Sequence, residues 1–168
     1  MKVALATPRE LPGILSLQRA NLRVASPDGF VTVEHTPEAL RALHDAMPSV
    51  VALDGDEVVG YALAMAVAAR TLLPTLEPMF AVLDTLALPP YYVMGQVCVA
   101  PAARGSGVFD AMYAEHRRAY GGAFAELVTE VSLRNPRSLR AHARVGFREL
   151  HRYRDATDEW SVIGWRLA

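Results

Sequence analysis

Apolar residues recur along this chain at two spacings, every second residue and every three to four, and the switches between them predict its elements. Lys2 to Ala6 reads as a short, edge-like strand. Thr7-Pro8-Arg9-Glu10 then carries a helix start, with threonine as N-cap, proline at the first helical position and glutamate at the capping-box position. Leu11, Ile14, Leu15, Leu17 and Leu22 keep helical spacing to about Val24, and Ser26-Pro27-Asp28-Gly29 ends that helix. Thr36-Pro37-Glu38 repeats the start signal, and Leu40, Leu43 and Met47 continue a second, shorter helix that stops at Pro48. Val50 to Leu53 and Val58 to roughly Ala68 read as an antiparallel hairpin around the turn Asp54-Gly55-Asp56-Glu57.

Residues 70–90 fit neither period well. Pro74, Pro78, Pro89 and Pro90 break them up, yet Met79, Phe80, Leu83, Leu86 and Leu88 are too apolar for a solvated loop, which predicts a short packed helix. Tyr91 to Ala100 is a central strand. Val108, Phe109, Met112, Tyr113, His116 and Tyr120 then give a long helix one apolar face, and Gly121-Gly122 ends it. Phe124 to Val131 is a strand, Asn135 and Pro136 cap and open a helix that Gly146 ends, and Phe147 to Arg152 and Trp160 to Leu167 form an antiparallel pair. The order of main elements is βααβββαβαββ.

The chain's 168 residues suit one domain with a core of its own. Its 52% hydrophobic and 21% charged content is that of a folded globular protein. The longest apolar run, Ala62 to Ala69, is far short of the roughly 20 residues that span a bilayer. Val3-Ala4-Leu5-Ala6 is too brief for a signal peptide, so a cytoplasmic location is expected and no membrane partner. Cys98, the only cysteine, excludes an intrachain disulfide and a cysteine-based metal site, and no metal is expected. Residues 1–100 carry 6 basic and 10 acidic side chains, residues 101–168 carry 11 and 8. That local excess of 11 − 8 = +3 suits a phosphate-bearing ligand but is too small for nucleic acid.

The basic excess falls with one stretch. Val97, Cys98 and Val99 form a β-favouring run, Pro101 ends it, and Gly105 and Gly107 stand where the long helix opens. A helix N-terminus presents unpaired N–H groups and positive dipole, glycines let a phosphate approach that backbone, and Arg104 adds a charge beside it. Neither the Gly-Lys-Ser/Thr of a nucleotide P-loop nor the three spaced glycines of a dinucleotide fingerprint is present.

What Val99-Ala100-Pro101-Ala102-Ala103-Arg104-Gly105-Ser106-Gly107-Val108 resembles is the acyl-CoA pyrophosphate loop of the GCN5-related N-acetyltransferases, the GNAT family, written Gln/Arg-x-x-Gly-x-Gly/Ala after a strand. Phe109 departs from it, since that position is usually glycine or alanine, and its ring is expected to turn into the core. Downstream, Asn135, Ser138, His142, Gly146 and Phe147 stand at the spacing of a second motif of that family. The resemblance implies an α/β acyl-CoA N-acyltransferase fold: a mixed, mostly antiparallel sheet with helices on both faces.

It also implies acetyl-CoA as co-substrate and direct transfer of its acetyl group to an amine. The pantetheine arm would bond like an extra strand to the backbone of Val97, Cys98 and Val99, with a backbone N–H there polarising the thioester carbonyl. Asn135 would bond the same arm or simply cap its helix, and Ser138 would face the arm one turn on. His142 inherits by motif position the role of protonating the departing thiolate; packing against the arm is the alternative. Some relatives place a glutamate on the fourth strand, but Tyr91 to Val99 holds no carboxylate, which leaves Glu130 as the first candidate for the base, with Glu34 and His35 behind it. The alternatives are a catalytically silent acyl-CoA-binding module and acetylation of a protein amine. A small-molecule amine is favoured because residues 70–90 could wall the acceptor cleft, a homodimer contact being the other reading of that segment.

Overall fold

The computed structural model describes residues 1–22 and 31–168, and within them the sequence's periodicities become a seven-stranded sheet in the order β1-β2-β3-β4-β5-β7-β6. The strands are β1 (Lys2–Leu5), β2 (Val50–Asp54), β3 (Glu57–Met65), β4 (Tyr91–Val99), β5 (Glu126–Ser132), β6 (Arg148–Arg154) and β7 (Glu159–Arg166). Only β4 and β5 run parallel; every other neighbouring pair is antiparallel. The helices are α1 (Leu11–Ala20), α2 (Pro37–Ala46), α3 (Glu77–Leu83), α4 (Val108–Tyr120) and α5 (Pro136–Val145).

Alternation along the strands sorts the core onto two faces. Val51, Tyr61 and Leu63 pack with Ile14 of α1 and Leu40 of α2, while Met65, Val93, Val128 and Val162 meet Leu43 of α2 and Phe80 of α3. The intervening residues Ala62, Ala64, Tyr92 and Leu127 gather around Tyr113 of α4, and Val50 and Ala52 meet Val108 and Met112. The expected starts hold: Thr7 and Glu10 form a capping box that opens as a short 3-10 turn before α1, and the Thr36 hydroxyl accepts from the Ala39 N–H at 3.1 Å.

Two boundaries differ from the sequence expectation by more than two residues. Helix α1 ends at Ala20 with Asn21 as its cap, and Leu22 forms an isolated bridge to Val31; Val24 and the Ser26 to Gly29 stop lie outside the described residues. Strand β3 ends at Met65 rather than near Ala68, because the small, weakly strand-forming residues after it coil into a 3-10 run, Val67–Leu72, that buries Ala69. A second 3-10 turn, Pro74–Leu76, leads into α3, whose Met79, Phe80 and Leu83 are at most 2% exposed. Residues 70–90 therefore supply part of the core. Among the described residues no helix is long and apolar enough to cross a membrane.

Candidate functional site

The sheet opens between β4 and β5. Their parallel ladder covers only Tyr91↔Glu126, Tyr92↔Leu127 and Val93↔Val128. Just beyond it the Thr129 hydroxyl donates to the Met94 carbonyl at 2.7 Å, so a side chain takes over where backbone pairing stops. On the other edge of β4, Ala62 faces Val97 and Ala64 faces Met94, so Gly95 and Gln96 together oppose Leu63 alone. That is a β-bulge, which bends its strand and re-aims side chains.

The re-aimed Gln96 is fastened on all sides. Its Oε1 accepts from the Tyr61 hydroxyl and from Gln18 Nε2, each at 2.6 Å, and its Nε2 donates to the Val33 carbonyl at 2.8 Å. The same Gln18 amide also donates to His35 Nδ1 (2.7 Å) and accepts from the His35 N–H. With Nδ1 accepting, the His35 proton sits on Nε2 and the ring is neutral; burial lowers its pKa in the same direction.

Beyond the bulge, the Ala100 N–H bonds the Val59 carbonyl, and the antiparallel alternation that follows turns the Cys98 backbone toward Tyr61 and the backbone groups of Val97 and Val99 toward the gap. Of the expected trio, then, the Val97 backbone and the Val99 N–H face the gap, while the Val99 carbonyl accepts from Arg104 Nε and Cys98 is committed to β3. Burial pushes the Cys98 thiol up to about 11, which leaves it a packed apolar side chain.

The loop after β4 leads to the N-terminus of α4. Gly105 and Gly107 have φ of +77° and +83°, a conformation that L-residues with side chains rarely adopt, and a Cβ built on either meets no atom within 4 Å. Gly107 caps α4 without a side chain, so the first backbone N–H groups of the helix face a cleft of about 540 Å³ with no intrahelical partner. Ser106 Oγ donates to the Ala103 carbonyl and shapes the loop. Arg104 Nε donates to the Val99 carbonyl at 3.1 Å and its guanidinium reaches Asn21 Oδ1 at 3.2 Å. Val108 is buried, and the Phe109 ring turns inward, 5.0 Å from the centroids of both Tyr113 and His142. Arg137, Arg140 and Arg144, spaced to share one face of α5, line the same cleft; Arg144 pairs with Asp110 at 2.7 Å. Backbone N–H groups, open glycines and cations suit the pyrophosphate and phosphate of an acyl-CoA.

A second cavity, about 480 Å³, meets this cleft along Val31, Val97, Asn135 and Ser138. Glu130 of β5 lines it. Burial raises the Glu130 carboxyl to about 7, Asp155 adds to the rise, and a short hydrogen bond from the Tyr153 hydroxyl works the other way. Asp155, Asp158 and Trp160 line the same space, as do Leu73, Thr75 and Leu76 of the 70–90 segment.

Asn135 and Ser138 stand where the cavities meet. Asn135 Oδ1 accepts from the Ser138 N–H at 3.2 Å, so it is the cap of α5, and its amide nitrogen remains available to a ligand. His142 is nearly fully buried. Its Nδ1 lies 2.8 Å from the Ser138 carbonyl, which can only accept, so the ring proton is on Nδ1 and Nε2 accepts from the Tyr113 hydroxyl at 2.7 Å. Burial lowers the His142 pKa to about 4. At neutral pH this ring holds no proton that could be passed to a thiolate, and the geometry is that of a packed positioning residue.

His35 thus lines the second cavity as a neutral ring, while Glu34 is tied to Arg19 at 2.8 Å and does not line it. Sequence reasoning missed the gap-facing Arg137 and Arg140, whose helical spacing was legible, and the turn Asp155 to Trp160, for which only the fold brings the residues to Glu130.

No protein-family model and no curated protein matches the sequence. Solved structures do. A ribosomal-protein alanine N-acetyltransferase of Escherichia coli superposes with a TM-score of 0.72 at 11% identity, over 99% of this chain and 94% of that one. A ribosomal-protein-alanine N-acetyltransferase of Brucella melitensis gives 0.69 at 18%, over 99% of both. A GNAT-superfamily phosphinothricin acetyltransferase of Sinorhizobium meliloti, solved with acetyl-CoA, gives 0.67 at 17%, over 98% and 87%. The chain has the GNAT acetyltransferase fold.

Proposed function

We propose that this protein is an acetyl-CoA-dependent N-acetyltransferase of the GNAT type acting on a small-molecule amine. The observation that carries the reading is the continuous gap beside β4, with phosphate-binding backbone at one end and a carboxyl titrating near neutrality at the other. Acetyl-CoA, when bound, supplies an acetyl thioester. The N–H groups that open α4 and the arginines around them would hold its phosphates, and the Val97 and Val99 backbone would line up its pantetheine arm and polarise the thioester carbonyl.

Glu130 is the base in this scheme: it takes one proton from the ammonium of the acceptor, the freed nitrogen forms the N–C bond, and its second proton passes to water as the C–S bond breaks. CoA departs as a thiolate and picks up its proton from water. His142 positions the Ser138 turn beside the arm. The small-molecule preference is supported by Leu73, Thr75 and Leu76, which line the acceptor end.

Thiol release from acetyl-CoA over a panel of small amines and peptides tests this. Turnover on small amines is expected. Binding of acetyl-CoA without turnover on any acceptor would make the protein a CoA-binding module, and turnover on peptides alone would overturn the substrate class.

A further inference from the structure

The two halves of the gap differ in charge. Arginines from the glycine loop and α5 line the cofactor half. Among the described residues the acceptor half is lined by three carboxylates, Glu130, Asp155 and Asp158, and by no lysine or arginine. Resting on the acetyl-transfer reading, we propose that the acceptor is a small organic dication, an alkyl amine with a second positive charge and no anionic group.

The bonding pattern decides how much of that charge is available. Asp158 is balanced by Arg134, whose Nε lies 2.9 Å from Oδ1. Among the described residues Asp155 has only uncharged donors: its Oδ1 accepts from the Thr157 N–H and hydroxyl and from the Asp158 N–H, at 2.7 to 2.9 Å. Partial burial would raise this group, but those bonds outweigh it and hold the carboxyl ionised, down to about 2. Neither histidine of the cavity offsets the charge, because His35 Nδ1 accepts from the Gln18 amide and His142 Nε2 accepts from the Tyr113 hydroxyl, which leaves both rings neutral. Glu130 and Asp155 therefore leave about two uncompensated negative charges once Glu130 ionises.

A reacting ammonium gives its proton to Glu130, and the distal ammonium keeps its own beside Asp155, with Trp160 as an aromatic wall that favours a cation. A carboxylate or phosphate on the acceptor would face like charge in the same space.

Three amines of similar length separate the possibilities: putrescine, n-butylamine and γ-aminobutyrate, whose distal ends are cationic, neutral and anionic. The expected order of kcat/KM is putrescine first, by on the order of tenfold over n-butylamine, with γ-aminobutyrate least. Asp155→Asn keeps the oxygen that the turn needs and removes the charge, and it should shrink the putrescine preference severalfold. In parallel, the rise in Tm on adding each amine to the CoA-bound protein reads binding without chemistry. Putrescine stabilising the protein with no thiol release would uphold the charge selectivity and remove the transferase reading. Equal use of the three, preference for γ-aminobutyrate, no effect of Asp155→Asn on the ratio, or no amine bound at all would overturn the proposal.

Discussion

Replacing Glu130 by glutamine is expected to push activity and stability in opposite directions. Raising a carboxyl from 4.5 to about 7 costs the folded state roughly 3 kcal/mol once the pH is above the folded value. The sign follows from proton binding: between those two values the folded protein holds a proton that the unfolded chain has released, so the group's contribution is fully present below about pH 4.5 and is lost as pH rises through about 7. Glutamine never ionises and can still accept the Tyr153 bond. At pH 8 the Tm of Glu130→Gln should exceed wild type by up to about 2–4 °C per kcal/mol recovered, and at pH 4 the two should coincide. Meanwhile kcat should fall by about 10²–10⁴, the usual worth of a general base, with acetyl-CoA affinity unchanged. The wild-type kcat/KM should rise with pH through about 7, and Tyr153→Phe, by removing a bond that favours the carboxylate, should move that limb to higher pH. Thermal scans and initial rates across pH 4–9 check this. An unchanged kcat, or a Glu130→Gln variant that gains no more stability over wild type at pH 8 than at pH 4, would refute the assignment.

Gly107→Asp should strain the loop, whose φ is +83°, by on the order of 1 kcal/mol, and should abolish the Tm rise with acetyl-CoA; Arg104→Ala should only reduce it, as calorimetric titration would read. His142→Phe should leave kcat and the shape of the pH profile near wild type while costing about 1–3 kcal/mol in urea unfolding, because the buried Tyr113 hydroxyl loses its acceptor. Deleting residues 72–88 should prevent folding rather than only impair acceptor use, since it removes Met79, Phe80 and Leu83, each worth about 1.5–3 kcal/mol of burial; circular dichroism and solubility would show it.

The parts of the site legible in the sequence are those that local chemistry dictates. Gly105 and Gly107 announced a helix N-terminus that needs positive φ, Asn135-Pro136 announced a cap, and strand and helix periods placed both in order. What stayed hidden is what needs two distant segments at once. The only mark of the β4 bulge in the sequence is Gly95 inside an apolar strand, and the partners that hold the re-aimed Gln96, Gln18 and Tyr61, lie 78 and 35 residues away. Asp155 reads as turn chemistry, and only the pairing of β5, β7 and β6 brings that turn to Glu130. His142 was legible as a position but not as a chemical state, which depends on Tyr113 and the Ser138 carbonyl.

That last distinction bears on how protons cross the gap. On the β5 side, burial raises Glu130 to about 7, and in the proposed reaction this carboxylate takes the proton that the amine must lose. On the α5 side neither buried ring does the reverse: burial takes His142 down to about 4 and holds the Tyr113 hydroxyl well above its ordinary value. A thiolate is a weak base, with a pKa of roughly 8.5, so it leaves at neutral pH without a partner, whereas an ammonium cannot attack until it is deprotonated. In the proposed reaction the buried side therefore needs to be only rigid, and the bond by which His142 Nδ1–H is held on the Ser138 carbonyl also ties the first turn of α5 in place.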